Sequence, residues 1–188
     1  MLDGPVSHDS KTTTMYEDLQ IIKYPDPRLK APNARVETFD ENLKALAARM
    51  FELMREAKGV GLAAPQVGVN LRLFVMNHSG EPGDDRVYAN PTLTAVDGET
   101  EGEEGCLSLP DIHIDVLRAD KVRLQAQDVD GKPVDIIDEG FVTRVWQHET
   151  DHLDAILLTD RMGFSAKMKF RKKLKELEER FAALKKKR

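Results

Sequence analysis

The hexapeptide Gln147-His148-Glu149-Thr150-Asp151-His152 constrains this chain more than any other stretch. Two histidines four residues apart share a face only if the segment is a helix. Two imidazoles on one face supply two of the three protein ligands that a catalytic metal needs. Glu149 is turned by roughly 100° around that helix. It is badly placed as a third ligand but can reach a metal-bound water, the H-E-x-x-H arrangement in which a carboxylate serves as general base. The surrounding pattern agrees. Glu139 to Leu153 has helical spacing, and Phe141 and Val145 stand seven and four residues before His148. They lie on its face and predict an apolar floor running into the metal site.

A third ligand must come from elsewhere in the chain. Residues 153–162 contain no histidine. Asp154 and Asp160 remain candidates, although both face awkwardly. Cys106, the single cysteine, lies 42 residues before His148 and offers a thiolate, a strong ligand for soft or borderline metals. It sits between Gly105 and Ser108 in a segment expected to be a strand. One cysteine also excludes an intrachain disulfide and fits a reducing compartment. No apolar run approaches the roughly 20 residues that cross a membrane. No signal-peptide core is visible, and residues 1–18 lack arginine, against a mitochondrial transit peptide. A soluble, cytoplasmic protein with no membrane partner is expected.

The remaining pattern is α+β. Residues 1–17, with Ser10-Lys11-Thr12-Thr13-Thr14, read as a disordered extension; residues 18–164 form a metal-dependent catalytic domain, and 165–188 a basic C-terminal helix. Asp40 caps an N-terminal helix carrying Leu43, Leu46, Ala47, Met50, Phe51 and Met54. Leu71 to Asn77, Val87 to Leu93, Ile112 to Val116 and Lys121 to Val129 read as strands, the second broken by Pro91. Asp130-Gly131 turns into a further strand, Pro133 to Ile137. Antiparallel or mixed sheets packed around a central H-E-x-x-H helix, flanked by an N-terminal and a C-terminal helix, are therefore expected. The net charge of −5 divides unevenly: residues 167–188 hold eleven Lys/Arg and three Glu, a net +8, which leaves −13 on the rest. A basic helix on an acidic body points to a polyanionic partner.

Three motifs occur together: Gly59-Val60-Gly61-Leu62-Ala63-Ala64-Pro65-Gln66, Glu104-Gly105-Cys106-Leu107-Ser108, and Gln147 to His152. In order and spacing they resemble the peptide deformylases, and the resemblance runs from about Asp18 to the end of the chain. It implies that Cys106, His148 and His152 bind one divalent metal, Fe²⁺ in the cell and Zn²⁺, Ni²⁺ or Co²⁺ as alternatives, with water in the fourth place. It implies that Glu149 moves the proton, that Gln66 and the Leu107 N–H stabilise the oxyanion, and that Gly61 lines the substrate strand through its backbone. The substrate implied is the N-formyl-methionyl end of nascent peptides, so the protein would serve protein biosynthesis as a hydrolase.

Val60, Gly105, Phe141, Val145 and His113 are the expected substrate pocket. Family resemblance also suggests ribosome docking by the basic helix. Three positions depart from the pattern: Ala155 stands where glycine is usual, His113 where arginine or tyrosine is frequent, and Leu117 where proline is common. Arg118 and Asp151 are expected to pair behind the metal helix. The rival readings are an H-E-x-x-H metalloprotease, which would not need Cys106, and a non-catalytic ribosome-associated protein, against which the intact Glu149 and Gln66 argue.

Overall fold

The run Leu73-Phe74-Val75-Met76 shows why the chain folds as it does. All four residues are buried. A strand alternates its side chains between two faces, so both faces of the sheet must be covered at this point. Leu73 and Val75 join one apolar cluster with Leu46, Met50 and Met54 of helix α1 (Glu41–Glu56). Phe74 and Met76 join another with Val145, Trp146 and Leu153 of helix α2 (Phe141–Leu153). The computed structural model describes residues 15–186, so most of the expected 1–17 extension lies outside the described residues.

The fold is α+β. Five strands, β1 (Gly61–Ala63), β2 (Leu73–Met76), β3 (Arg86–Cys106), β4 (Leu109–Gln127) and β5 (Pro133–Glu139), form one sheet in sequence order. Every neighbouring pair is antiparallel. The parallel pairing that a mixed sheet would contain is limited, among the described residues, to an isolated bridge between Ala34 and Leu71. The several short strands expected between Val87 and Val129 are two long ones. Pro91 bends β3 without ending it. It has no N–H to donate, and it sits in a register shift between Ala89 and Thr92. Asn90 there adopts φ 53°. Its side chain accepts from the Val36 N–H (2.8 Å) and donates to Val36 C=O (2.9 Å), replacing the lost ladder bonds.

Asp40 caps α1 as expected, accepting from Leu43 N–H at 3.0 Å. Short helix α3 (Leu158–Arg161) and helix α4 (Phe164–Lys185) follow α2. Leu177, Phe170 and Leu174 of α4 pack with Leu109, Ile112, Ile114 and Val116 of β4. The basic helix is thus attached to the sheet by an apolar seam.

Ala155, which stands where glycine is usual, lies just beyond the helix end expected from the spacing. Helix α2 stops at Leu153, and Ala155 takes φ 59° just beyond it. Ile156 N–H donates to Asp151 C=O at 2.8 Å and Ala155 N–H to His152 C=O at 3.2 Å. This is the Schellman closure, whose left-handed position favours glycine. An alanine there costs roughly 1–2 kcal/mol, partly offset by its stiffer unfolded chain. Ala155→Gly is expected to stabilise the protein by about 1 kcal/mol, raising Tm by roughly 2–4 °C. A calorimetric Tm that stays level or falls contradicts this assignment.

Candidate metal centre

Cys106 closes β3 and Leu109 opens β4, and the two pair across a tip made of Leu107 and Ser108. A register shift between Gly105 and Cys106 breaks the alternation beside the tip. Bulges of this kind re-aim a side chain, here the thiol toward α2. One ligand atom from each of Cys106, His148 and His152 lies within 4.8 Å of the others. Cys106 Sγ is 3.3 Å from His152 Nε2. His148 turns its Nδ1 to Glu104 Oε2 at 2.9 Å, leaving Nε2 for an ion. Asp154 and Asp160 are engaged elsewhere, with Arg72 (2.7 Å) and Lys30 (2.9 Å).

The donor set fits a borderline divalent ion. Burial alone would push the Cys106 thiol up; the charge of His152 and hydrogen bonds from both histidines outweigh it and hold the thiol well below its ordinary value. A thiolate ligand is thereby favoured. Burial would lower His148, but hydrogen bonds to Cys106 and Glu104 raise it well above the usual imidazole range. Glu149 is buried, and its Oε2 has no hydrogen-bond partner. Its burial, reinforced by Cys106 and Glu104 against the opposing pull of His148 and His152, lifts it to about 7. An orphaned carboxylate oxygen beside a ligand cluster suits a proton acceptor.

Behind the ligands runs a chain of charges. Arg118 holds Glu104 with two bonds of 2.9 Å and reaches Asp151 at 2.7 Å, the pairing expected from sequence. Asp151 also accepts from Arg161 Nε at 3.0 Å. Burial would raise Glu104; Arg118 and His148 overcome that and hold it at about 2. It therefore stays ionised and fixes the His148 ring, as carboxylate partners of metal histidines do. Arg144 binds Glu104 Oε1 (3.0 Å) and the carbonyls of Thr100 (2.8 Å) and Val116 (2.8 Å). It ties α2 to both long strands. Gln147 also behaves like a strand neighbour, its carboxamide bonding both Ala119 C=O (2.9 Å) and Ala119 N–H (3.1 Å).

Gln66 lies within reach of the thiol. Its Oε1 accepts from Ala63 N–H at 2.8 Å, which turns Nε2 toward Ser108 Oγ (3.3 Å) and Cys106 Sγ (3.5 Å). Gly61 is required by contact: a Cβ there would stand 2.4 Å from Glu149 Oε1. A cavity of about 510 Å³ opens onto these groups, and Val60, Gly105, Phe141, Val145 and His113 all line it with Gly61, Gln66 and Leu107. The apolar floor is shorter than expected. Val145 is buried, but Phe141, at the first turn of α2, stands at the rim with 57 % exposure. Gly105 lets His113 lie across the paired strand, because a Cβ would meet its ring at 2.7 Å.

Sequence reasoning assigned no role to Lys23, Arg144 or Glu104. Glu104 stood inside a quoted motif, but its partners Arg118 and Arg144 lie 14 and 40 residues away. Lys23 lines the cavity and donates to Leu107 C=O at 2.6 Å.

Residues 18–168 match the family model described as polypeptide deformylase. The peptide deformylase of Chromobacterium violaceum is 44% identical over 160 residues, 85% of this chain and 96% of that protein. The chloroplastic peptide deformylase 1B of Oryza sativa is 44% identical over 166 residues, 87% of this chain. The chain spans only 62% of that rice relative and 64% of an Arabidopsis thaliana one. The crystal structure of the Arabidopsis thaliana deformylase 1B with an inhibitor superposes with TM-score 0.82 at 41% identity, covering 87% of this chain and 92% of that one.

Proposed function

The chain belongs to the polypeptide deformylase family, and on that premise we propose that it is a metal-dependent hydrolase removing the N-terminal formyl group from formyl-methionine of newly made polypeptides. The observation that carries this is the third donor. A cysteine thiol meets the two helix histidines within 4.8 Å, with a buried, unpartnered glutamate oxygen beside them. An H-E-x-x-H metalloprotease needs no such thiol, and a binding protein needs no such glutamate.

Cys106, His148 and His152 would hold one ion, Fe²⁺ in the cell, with Zn²⁺, Ni²⁺ or Co²⁺ as substitutes that the same donors accept. When bound, the ion supplies a Lewis acid that acidifies a coordinated water and polarises the formyl carbonyl. Glu149 takes the proton of the attacking water and returns it to the leaving amine; its burial, which favours the protonated form, and its unpartnered oxygen suit both transfers. Gln66 Nε2 and the Leu107 N–H stabilise the developing oxyanion, each such donor being worth about 3 kcal/mol. The Gly61 backbone receives the substrate main chain, and Val60, Gly105, Val145, Phe141 and His113 enclose the methionine side chain. Glu104, held by Arg118 and Arg144, keeps the His148 ring oriented.

In this reading α2 is the central helix, residues 18–164 form the catalytic domain, and 165–188 the basic C-terminal helix, preceded at the other end by the 1–17 extension. Among the described residues no helix is long and apolar enough to cross a membrane. A lone cysteine fits a reducing compartment, the basis for a cytoplasmic location; the rice relative is named chloroplastic.

The crowding of Gln66 against the Cys106 thiol predicts discrimination at the acyl carbon. Formyl carries only hydrogen there, and acetyl adds a methyl that must fit beside the thiol and Gln66. Formyl-Met peptides are expected to be cleaved at least about 10²-fold faster than acetyl-Met peptides, toward the upper end of the roughly 10–200-fold that one methyl gives in a simple apolar pocket. Comparable kcat/KM values would remove the deformylase reading.

The ribosome is the proposed partner of α4, whose exposed Lys169, Lys172 and Lys175 would meet RNA phosphates. Because Leu177 of α4 is buried against β4, deleting the helix would damage the fold. Changing these three lysines to Gln keeps the seam. Weaker cosedimentation with ribosomes, and a shallower salt dependence, are expected; unchanged cosedimentation argues against docking by this face.

A further inference from the structure

Three consecutive residues near the start of the described chain touch both segments that carry the oxyanion donors. Ile22 N–H donates to Gln66 C=O at 2.8 Å, and Tyr24 N–H to Ser108 C=O at 2.9 Å. This strap reaches the Gln66 turn with one N–H and the β3–β4 tip with the other. Lys23, between them, sends its ammonium to Leu107 C=O at 2.6 Å. The side chain is exposed and lines the cavity.

The tip is short enough for this to matter. Cys106 and Leu109 are paired, so only Leu107 and Ser108 bridge the strands. Peptide units are planar, so fixing two successive carbonyls leaves the tip little rotational freedom. Tyr24 fixes the Ser108 carbonyl and Lys23 the Leu107 carbonyl. The Leu107 N–H belongs to the preceding peptide plane, Cys106–Leu107, which is held between the paired Cys106 on one side and the fixed Leu107 carbonyl on the other. An ammonium donor makes this a charge-assisted bond, stronger than a neutral one.

We propose that Lys23 is a positioning residue of the reaction: through the Leu107 carbonyl it holds the β3–β4 tip so that the Leu107 N–H points at the developing oxyanion. The proposal rests on the deformylase reading above. Lys23 acts through the backbone, so its removal should lower kcat and leave substrate affinity largely intact. A misplaced donor commonly costs on the order of ten- to a hundredfold in rate.

The test compares wild type, Lys23→Met, Lys23→Gln and Lys23→Arg as zinc-loaded full-length proteins. Met keeps the aliphatic stem without a donor, Gln supplies a second neutral variant, and Arg restores the cation. Two quantities are read: hydrogen exchange of the Leu107 and Ser108 amides by NMR, and kcat and KM for a formyl-Met peptide. The neutral variants are expected to exchange both amides at least about tenfold faster, since local opening becomes easier. Their kcat should fall about ten- to a hundredfold while KM moves less than about twofold, and Arg should recover both readouts. A fall in kcat with unchanged exchange would overturn positioning in favour of direct contact with substrate. A rise in KM alone would make Lys23 a substrate-binding cation, and no change in either readout would leave it without a role. A wild type inactive on formyl-Met peptides would instead overturn the deformylase reading, while the exchange arm would still show whether Lys23 holds the tip.

Discussion

Glu149→Gln is expected to lose about 10²–10⁴-fold in kcat/KM on formyl-Met peptides, the range a general acid-base contributes, while the protein keeps a full complement of metal. Gln preserves the shape that Gly61 accommodates, whose missing Cβ would otherwise stand 2.4 Å from Glu149 Oε1. It removes the charge and the ability to accept a proton. Glutamine also brings a donor to the buried position where Oε2 has no partner, so the change tests chemistry more than packing. The measurement is steady-state kinetics alongside elemental analysis of the same sample. Activity within tenfold of wild type would mean that proton transfer is carried by another group. Metal lost together with activity would mean that Glu149 belongs to the ligand set.

Cys106→Ala is the second large effect. It leaves His148 and His152 as two neutral donors on one helix, too few for a site that needs three protein ligands. Metal content after dialysis is expected to fall from about one equivalent to near zero, with activity falling in parallel. Because an ion that binds only the folded state stabilises it by RT ln(1 + [L]/Kd), about 2.7 kcal/mol at a hundredfold excess over Kd, the metal-dependent part of Tm should vanish too. Anaerobic isolation of wild type with elemental analysis distinguishes Fe²⁺ from its substitutes. A Cys106→Ala protein that retains a stoichiometric ion and cleaves peptides would restore the metalloprotease alternative.

The parts of the site legible in the sequence are those with a local geometric signature. His148 and His152 are four apart, and a helix has no choice but to put them together. Phe141 and Val145 follow from the same periodicity, although periodicity gives a face and not a depth, so Phe141 emerged at the rim. The antiparallel strands were legible as alternation, but not their continuity. Pro91 looked like a break because its ladder bond is missing, and only the distant Val36, bonded through Asn90, shows how the loss is made good. Glu104 and Lys23 were illegible in a different sense. Their partners lie far along the chain, Lys23 and Leu107 being 84 positions apart, and no spacing rule links such pairs. Ala155 was noticed for its identity. Its strain was not, because the left-handed torsion depends on where α2 ends.

The attachment of α2 has a consequence for how this chain can change in length. Arg144 and Gln147 are bonded to fixed carbonyls on β3 and β4, and the ligands follow one and five residues after Gln147. One inserted residue between Gln147 and His148 would rotate everything downstream by about 100°, swinging both imidazoles away from the thiol while the anchors stayed put. A deletion would do the same in the other sense. Length variation among descendants of this sequence should therefore collect at the exposed turns, around Ser79–Asp84 and Asp128–Lys132, where backbone bonds are local. From Arg144 to His152 the spacing admits substitutions but no insertions or deletions.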